Sequence, residues 1–367
     1  MSRPAKLIIY TNSFKNNIRV LKRYTNSAKV WACVKAGAYG HGIESAVNGL
    51  EEADGLAVLE VSEAFFARSL GWNKPILLLE GVFSRNELDE ASALNLELVI
   101  HNEEQLAWYL ERKKTVQGVW IKINSGMNRL GFSDGQNNGL IKSSIEKIRN
   151  QYLKSSDIKW MTHFSSGGCK NSCEDQIKTF RSTANKLGYK KGEKVSFSNS
   201  EAVICNPNFS KDWVRPGILL YGAPSSLNPN EKVRSFLEEV IPCQSLQSKL
   251  ITKFRVKKGA KIGYGGTYSA VEEMTVGVAA IGYADGYPRG ISEGTCCLVL
   301  GKACKVIGVV SMDLIHIDLT PCPEAVPGDV VECWGKDLPI LDVAKSSNRL
   351  CYELFTGITS RVSREIV

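Results

Sequence analysis

Eight short apolar runs recur through the first two thirds of the chain: VWACV (30–34), LAVL (56–59), PILLL (75–79), LELVI (96–100), GVWIKI (118–123), IKWMTHF (158–164), KVSFS (194–198) and WVRPG (213–217). Between them lie segments with helical patterning, among them GIESAVNGLEEA, SRNELDEASALN and NEEQLAWYLERKK. Strands that alternate with helices form a parallel sheet, and eight such units close naturally into a (β/α)8 TIM barrel. The competing arrangement is a doubly wound open sheet, but no Gly-x-Gly-x-x-Gly follows the first strand. After about residue 235 the texture changes to β-rich runs such as LITKFRV, MTVGVAAIGYA, CCLVLG, CKVIGVVSM and DVVECW, divided by glycine, proline and charged turns. The pattern predicts a barrel over residues 1–235 and a separate, mostly β, antiparallel domain over 236–367.

Composition narrows the function classes. A chain of 367 residues with 43% hydrophobic content can bury large cores. The amino end, MSRPAKLIIYTNSFKNN, lacks a signal-peptide core, and no later segment stays apolar for the roughly 18 residues that a membrane span requires. A cytoplasmic enzyme is the expectation. The eleven cysteines are odd in number and scattered, with Cys169-x-x-x-Cys173 and the adjacent Cys296 and Cys297 the only close pairs. In a reducing compartment they read as small apolar residues, with no metal site expected. The net charge of +8 is spread without a basic block or interleaved aromatics, which favours small anionic ligands over nucleic acid.

In a TIM barrel, active sites gather where strands end, so polar residues directly after a strand gain weight. Lys35 follows the first strand, beside the small residues Ala-Gly-Ala that would let another molecule approach. It reads as a partly buried nucleophile or, equally, as a strand-end lysine snorkelling into water. Lys122 closes the fifth strand with Asn124 to Arg129 after it, His163 ends the sixth, Ser198-Asn199-Ser200 follow the seventh and Arg215 ends the eighth. Singly, His163 could be a core histidine, Ser200 a helix cap and Arg215 a surface ion pair. Together they converge on one mouth. Ser-Asn-Ser before AVI offers hydroxyls and free N–H groups at a helix start, and Arg215-Pro216-Gly217-Ile218 lets backbone approach an anion. A lysine facing a phosphate cradle fits pyridoxal 5'-phosphate.

Nine segments extend this reading: VKAGAYGHG, IKINSGMNRLGF, THFSS, SNSEAVI, VRPGILLYG, IGYGGTYS, IGYADGYPRG, VVSMDLI and YELFTGITSRV. In order and spacing the chain resembles the alanine racemases, pyridoxal-phosphate enzymes of fold type III that interconvert L- and D-alanine. The resemblance implies that Lys35 bonds the cofactor and Tyr39 contacts its phosphate, with Ser200, Gly217, Ile218 and Tyr352 completing that cradle. It implies that Lys122, often carbamylated in relatives, positions Arg129 beside the cofactor's phenolic oxygen. His163 would lie near the ring and contact Arg215, which faces the pyridine nitrogen. From the β domain, Tyr264 matches the second catalytic base, and Tyr283, Met312 and Asp313 match residues that line the substrate entrance or site. Gly37 stands where relatives commonly have asparagine.

Racemisation removes a proton from one face of the α-carbon and delivers another to the opposite face, a task for Lys35 and Tyr264. A tyrosine needs nearby positive charge to serve as a base. An arginine opposite the pyridine nitrogen would leave that nitrogen unprotonated and limit side reactions such as transamination. Because a β domain appended to a barrel need not reach its own mouth, the resemblance implies a homodimer with shared active sites. By themselves, Tyr264 and Tyr268 could be ordinary aromatics beside a hairpin, and Ala284-Asp285-Gly286 only a turn. Two other classes stay open: an amino-acid decarboxylase of the same architecture, which would need a carboxylate in place of Arg215, and a non-catalytic cofactor carrier, which would not need the β domain. Substrates beyond alanine also stay open, as does the role, D-alanine for peptidoglycan or alanine catabolism.

Overall fold

The computed structural model describes residues 3–111, 116–135, 137–151 and 158–367. Each of the eight apolar runs forms a strand. They are β2 (Lys29–Cys33), β3 (Gly55–Val58), β4 (Ile76–Leu78), β5 (Glu97–Ile100), β6 (Gly118–Lys122), β7 (Ile158–Met161), β8 (Val195–Asn199) and β9 (Trp213–Arg215). All pair in parallel with their sequence neighbours, and β9 closes on β2 through Lys29 opposite Trp213 and Val30 opposite Val214. The chain therefore folds into the closed barrel that the alternation predicts. Strands covered on both faces tolerate no polar alternation, which is why β3, β4 and β5 are buried throughout. Helices Ile43–Gly49, Glu87–Ala93 and Glu103–Glu111 occupy the three segments with helical patterning. Arg112 to Lys114, the end of NEEQLAWYLERKK, lie outside the described residues.

Large side chains fill the barrel. Trp31 and Trp120 are fully buried; Trp31 stacks on Trp213 with ring centroids 4.2 Å apart and meets Trp120 edge-on. A Cβ on Gly55 would overlap the Trp31 ring, so the glycine makes room for the indole. Lower in the barrel, Lys159 and Glu97 form a buried pair at 2.6 Å, and Trp120 Nε1 donates to the same carboxylate. Both charges are thereby compensated.

The second sheet has eight strands. Its longest member, β10 (Gln244–Val256), pairs antiparallel in turn with β1 (Lys6–Ile9), Val330–Trp334 and Met274–Ala279. Strands Cys296–Val299, Lys302–Ile307 and Ile315–Asp318 complete the antiparallel part. The first strand of the chain thus belongs to this sheet and not to the barrel, and it runs parallel to the last, Ser363–Ile366. Asn17, fully buried, ties the two layers: its amide donates to the Leu220 and Ile241 carbonyls and accepts from the Ile241 N–H. All eleven cysteines are free thiols, nine of them buried. Among the described residues no helix is long and apolar enough to cross a membrane.

Candidate active site

A cavity of about 420 Å³ opens at the carboxyl ends of the barrel strands. Lys35, Tyr39, Lys122, Arg129, His163, Ser200, Arg215, Gly217 and Tyr352 all line it. Ile218 is fully buried and opens the 3-10 turn Ile218–Tyr221 directly after Gly217. The remaining candidates stand in turns between strands of the second sheet and do not line this cavity. Tyr264 is 74% exposed, Met312 52% and Tyr283 39%. The last two are held beside Asp313, because Tyr283 and Ala284 N–H groups donate to the Ser311 and Met312 carbonyls. Arg361 bridges Asp313 to the fully buried Asp285, whose other oxygen pairs with Arg3 at 2.8 Å.

The backbone after β2 is unusual. Ala36, Gly37 and Ala38 have φ/ψ of 54/48°, 59/46° and 54/53°, and Tyr39 continues at φ 52°. This is a turn of left-handed helix, closed by Gly40 N–H to Ala36 O at 3.0 Å. Each non-glycine residue there costs roughly 1–2 kcal/mol. The coil nevertheless places Lys35 at its start and Tyr39 at its end on the same cavity. Gly37 and asparagine are the two residues that accept this conformation most readily, so the exchange noted above preserves the backbone. A Cβ on Gly37 would meet nothing within 4 Å, and its N–H already donates to Glu63 Oε1 at 3.0 Å.

Opposite the lysine, Asn199 caps the helix Ser200–Cys205 by accepting from the Ala202 N–H. Ser200 Oγ accepts from the Gly217 N–H at 2.7 Å, which leaves its own hydrogen for another acceptor. A Cβ on Gly217 would collide with the Tyr39 hydroxyl, so only glycine lets that phenol reach this wall. Tyr39 stacks obliquely between Tyr221 and Tyr352 at 4.7 and 5.8 Å. Burial raises the pKa of both Tyr39 and Tyr352, which keeps them neutral donors. Tyr352 shows that the carboxyl segment does reach the mouth of its own barrel.

Arg215 is 5% exposed. It donates to Ser196 Oγ and to the Thr162 and Phe197 carbonyls, which uses at most three of its five N–H donors. Burial draws its pKa down to about 10, so it stays cationic near neutral pH. His163 is pushed well below the usual imidazole value by burial and then by Arg215, Arg129, Lys122 and Lys35, and it is neutral. Lys122, 8% exposed, is lowered to about 8 by burial first and then by Arg215 and Arg129. The cavity thus holds four cationic side chains, Lys35, Lys122, Arg129 and Arg215, against two carboxylates, Glu80 and Glu201. It is built for anions.

Several lining residues escaped the sequence reading. Glu80 stands just past the third run, and the strand-end rule applied there would have found it. Ser225 and Ser226 also line the cavity, ten and eleven residues beyond Arg215, and no local pattern marks them. Among the described residues no group of three or more His, Cys, Asp or Glu is placed to hold a metal ion.

Comparison with known proteins agrees with this geometry. The family model described as alanine racemase, N-terminal domain, matches residues 9–225, and that described as alanine racemase, C-terminal domain, matches 243–366. An alanine racemase from Cupriavidus metallidurans is 40% identical over 372 aligned residues, covering 100% of this chain and 98% of its own. One from Burkholderia mallei is 39% identical over 364, covering 99% of each. Among solved structures, alanine racemase from Acinetobacter baumannii superposes with a TM-score of 0.89 at 31% identity over 100% of both chains. The biosynthetic alanine racemase from Pseudomonas aeruginosa gives 0.88 at 34%, covering 100% of this chain and 99% of its own.

Proposed function

The chain belongs to the alanine racemase family, and from that premise we propose how its residues interconvert L- and D-alanine with pyridoxal 5'-phosphate. The cavity suits that cofactor. The Ser200 hydroxyl and the Tyr39 and Tyr352 phenols supply donors for a phosphate, and the Lys35 amine has no ion pair among the described residues. Lys35 would bond the cofactor, Tyr39, Ser200, Gly217, Ile218 and Tyr352 would hold its phosphate, and His163 would lie against its ring. When bound, the cofactor supplies a conjugated system that accepts the electron pair left as the α-proton departs.

One observation carries the choice of reaction: the buried guanidinium of Arg215, anchored by a hydroxyl and two carbonyls and, among the described residues, by no carboxylate. A decarboxylase of this architecture would place a carboxylate there. Arg215 donates hydrogen bonds without releasing a proton and so supports racemisation over side reactions. Lys35 would move the proton on the face of D-alanine and Tyr264 that on the face of L-alanine. Since Tyr264 does not line the cavity of its own chain, it would act in the partner's, with Tyr283, Met312 and Asp313 at the shared entrance and Arg129 toward substrate. Lys122 at about 8 is neutral in roughly one molecule in ten at pH 7. That neutral amine can combine with CO2, release a proton and become an anionic carbamate beside Arg129.

Chiral chromatography of alanine with the cofactor supplied tests the reading. Either enantiomer should become an equal mixture, and borohydride reduction should leave the pyridoxyl label on Lys35. Release of CO2 with formation of ethylamine, or a label on Lys122, would overturn it.

A further inference from the structure

We propose that His41 and Glu63 are positioning residues that together hold the left-handed turn Ala36–Tyr39 in the one shape that brings Lys35 and Tyr39 to the same cavity. The inference rests on the cofactor-binding role proposed for those two residues and extends it to two side chains outside the cavity.

A left-handed coil at Ala36, Ala38 and Tyr39 persists only where its surroundings over-determine it. Glu63 supplies one restraint. Its Oε1 accepts the Gly37 N–H at 3.0 Å, while Oε2 accepts the Leu59 and Glu60 N–H groups at 2.9 and 3.3 Å. One carboxylate thereby ties the middle of the turn to the start of helix Val61–Ser69. All three partners are donors, so the site needs a group that only accepts.

His41 supplies the other restraint. It is fully buried among the rings of Phe14, Tyr221 and Phe355, with centroids 5.8, 4.7 and 4.7 Å away. Its Nδ1 lies 3.1 Å from Ala38 O and 3.0 Å from Tyr39 O. Carbonyls only accept, so Nδ1 carries the proton and donates to both. Successive carbonyls converge on one N–H because the chain is coiled there, and an extended chain would point them apart. Nε2 has no hydrogen-bond partner among the described residues, and the imidazole is neutral. Tyr221 packs on both His41 and Tyr39, so the ring that fixes the histidine also fixes the phenol.

Three variants test the proposal: His41→Leu removes the donor, His41→Asn restores an N–H at the Nδ1 position, and Glu63→Gln replaces an acceptor with a donor. Amide exchange in the apoenzyme peptide spanning residues 34–42 should accelerate about tenfold or more in His41→Leu and Glu63→Gln, with other barrel peptides unchanged. The Kd for pyridoxal phosphate should rise about tenfold or more in the same two variants, because a loosened turn must be ordered on binding. His41→Asn should recover most of both. Wild-type exchange in Glu63→Gln, or identical behaviour of the leucine and asparagine variants, would overturn the proposal. If His41→Leu unfolds altogether, Glu63→Gln decides, since that side chain is only half-buried. A wild-type chain that bound no pyridoxal phosphate would defeat the functional reading, while the exchange data would still report on the turn.

Discussion

Lys35 and Tyr264 are the two ends of the proposed proton path, yet their surroundings differ. Lys35 lines the anion-binding cavity, whereas Tyr264 stands in the short turn Tyr264–Gly266 with its phenol in solvent. Removing the phenol should therefore spare the cofactor site and disable one face. In Tyr264→Phe, α-proton exchange with deuterated water should persist from D-alanine and fall by about 10²-fold or more from L-alanine, as measured by NMR. Net racemisation should drop in both directions, because the two rates are linked through the equilibrium. Equal exchange from both enantiomers with the cofactor bound would exclude Tyr264 as the L-face base. His41 leads to a pH prediction. Burial lowers its pKa from 6.5 to about 4, so as pH falls the unfolded chain takes up a proton first. The associated stability is fully present above pH 6.5, is lost between 6.5 and about 4, and declines no further below that. The loss is on the order of 3 kcal/mol. Urea unfolding at pH 7 and pH 4.5 should show it in the wild type and show less of it in His41→Leu.

At the scale of elements, the site is made by strand ends, and one tight contact joins the amino and carboxyl parts of the chain there. Gly40 sits at φ +80°, and a Cβ would fall inside the Phe355 carbonyl oxygen of helix Cys351–Thr356. That helix also carries Tyr352 into the cavity. Gly40→Ala must therefore strain the backbone and push the helix away. A stability loss of about 2 kcal/mol or more is expected by chemical denaturation, together with weaker cofactor binding as Tyr352 moves. A stable variant with unchanged affinity would mean that the helix can shift without cost. Ala36, Ala38 and Tyr39 show where reading by local pattern stops. Nothing in their side chains favours positive φ, and the turn is held by bonds to Glu63 and His41.

For the whole molecule, Tyr352 reaches its own chain's cavity while Tyr264, Met312 and Tyr283 face outward. Two chains arranged head to tail would bring these groups over each other's barrels. Mixing Lys35→Ala with Tyr264→Ala subunits should then restore activity, because a mixed dimer regains one site with both bases. No recovery under conditions that demonstrably exchange subunits would count against shared sites. The eight barrel strands and the strand-end positions of Lys35, Lys122, His163, Ser200 and Arg215 were legible in the sequence, since burial on both faces demands short apolar runs and the barrel exposes polar groups only at their ends. The ordered motifs likewise carried the family. Only the tertiary structure revealed that Lys6–Ile9 joins the second sheet, pairing with residues beyond 240 and 360, that Ser225 lines the cavity, and that the turn after Lys35 runs left-handed. Each of these follows from contacts between residues far apart in the chain, which local periodicity cannot encode.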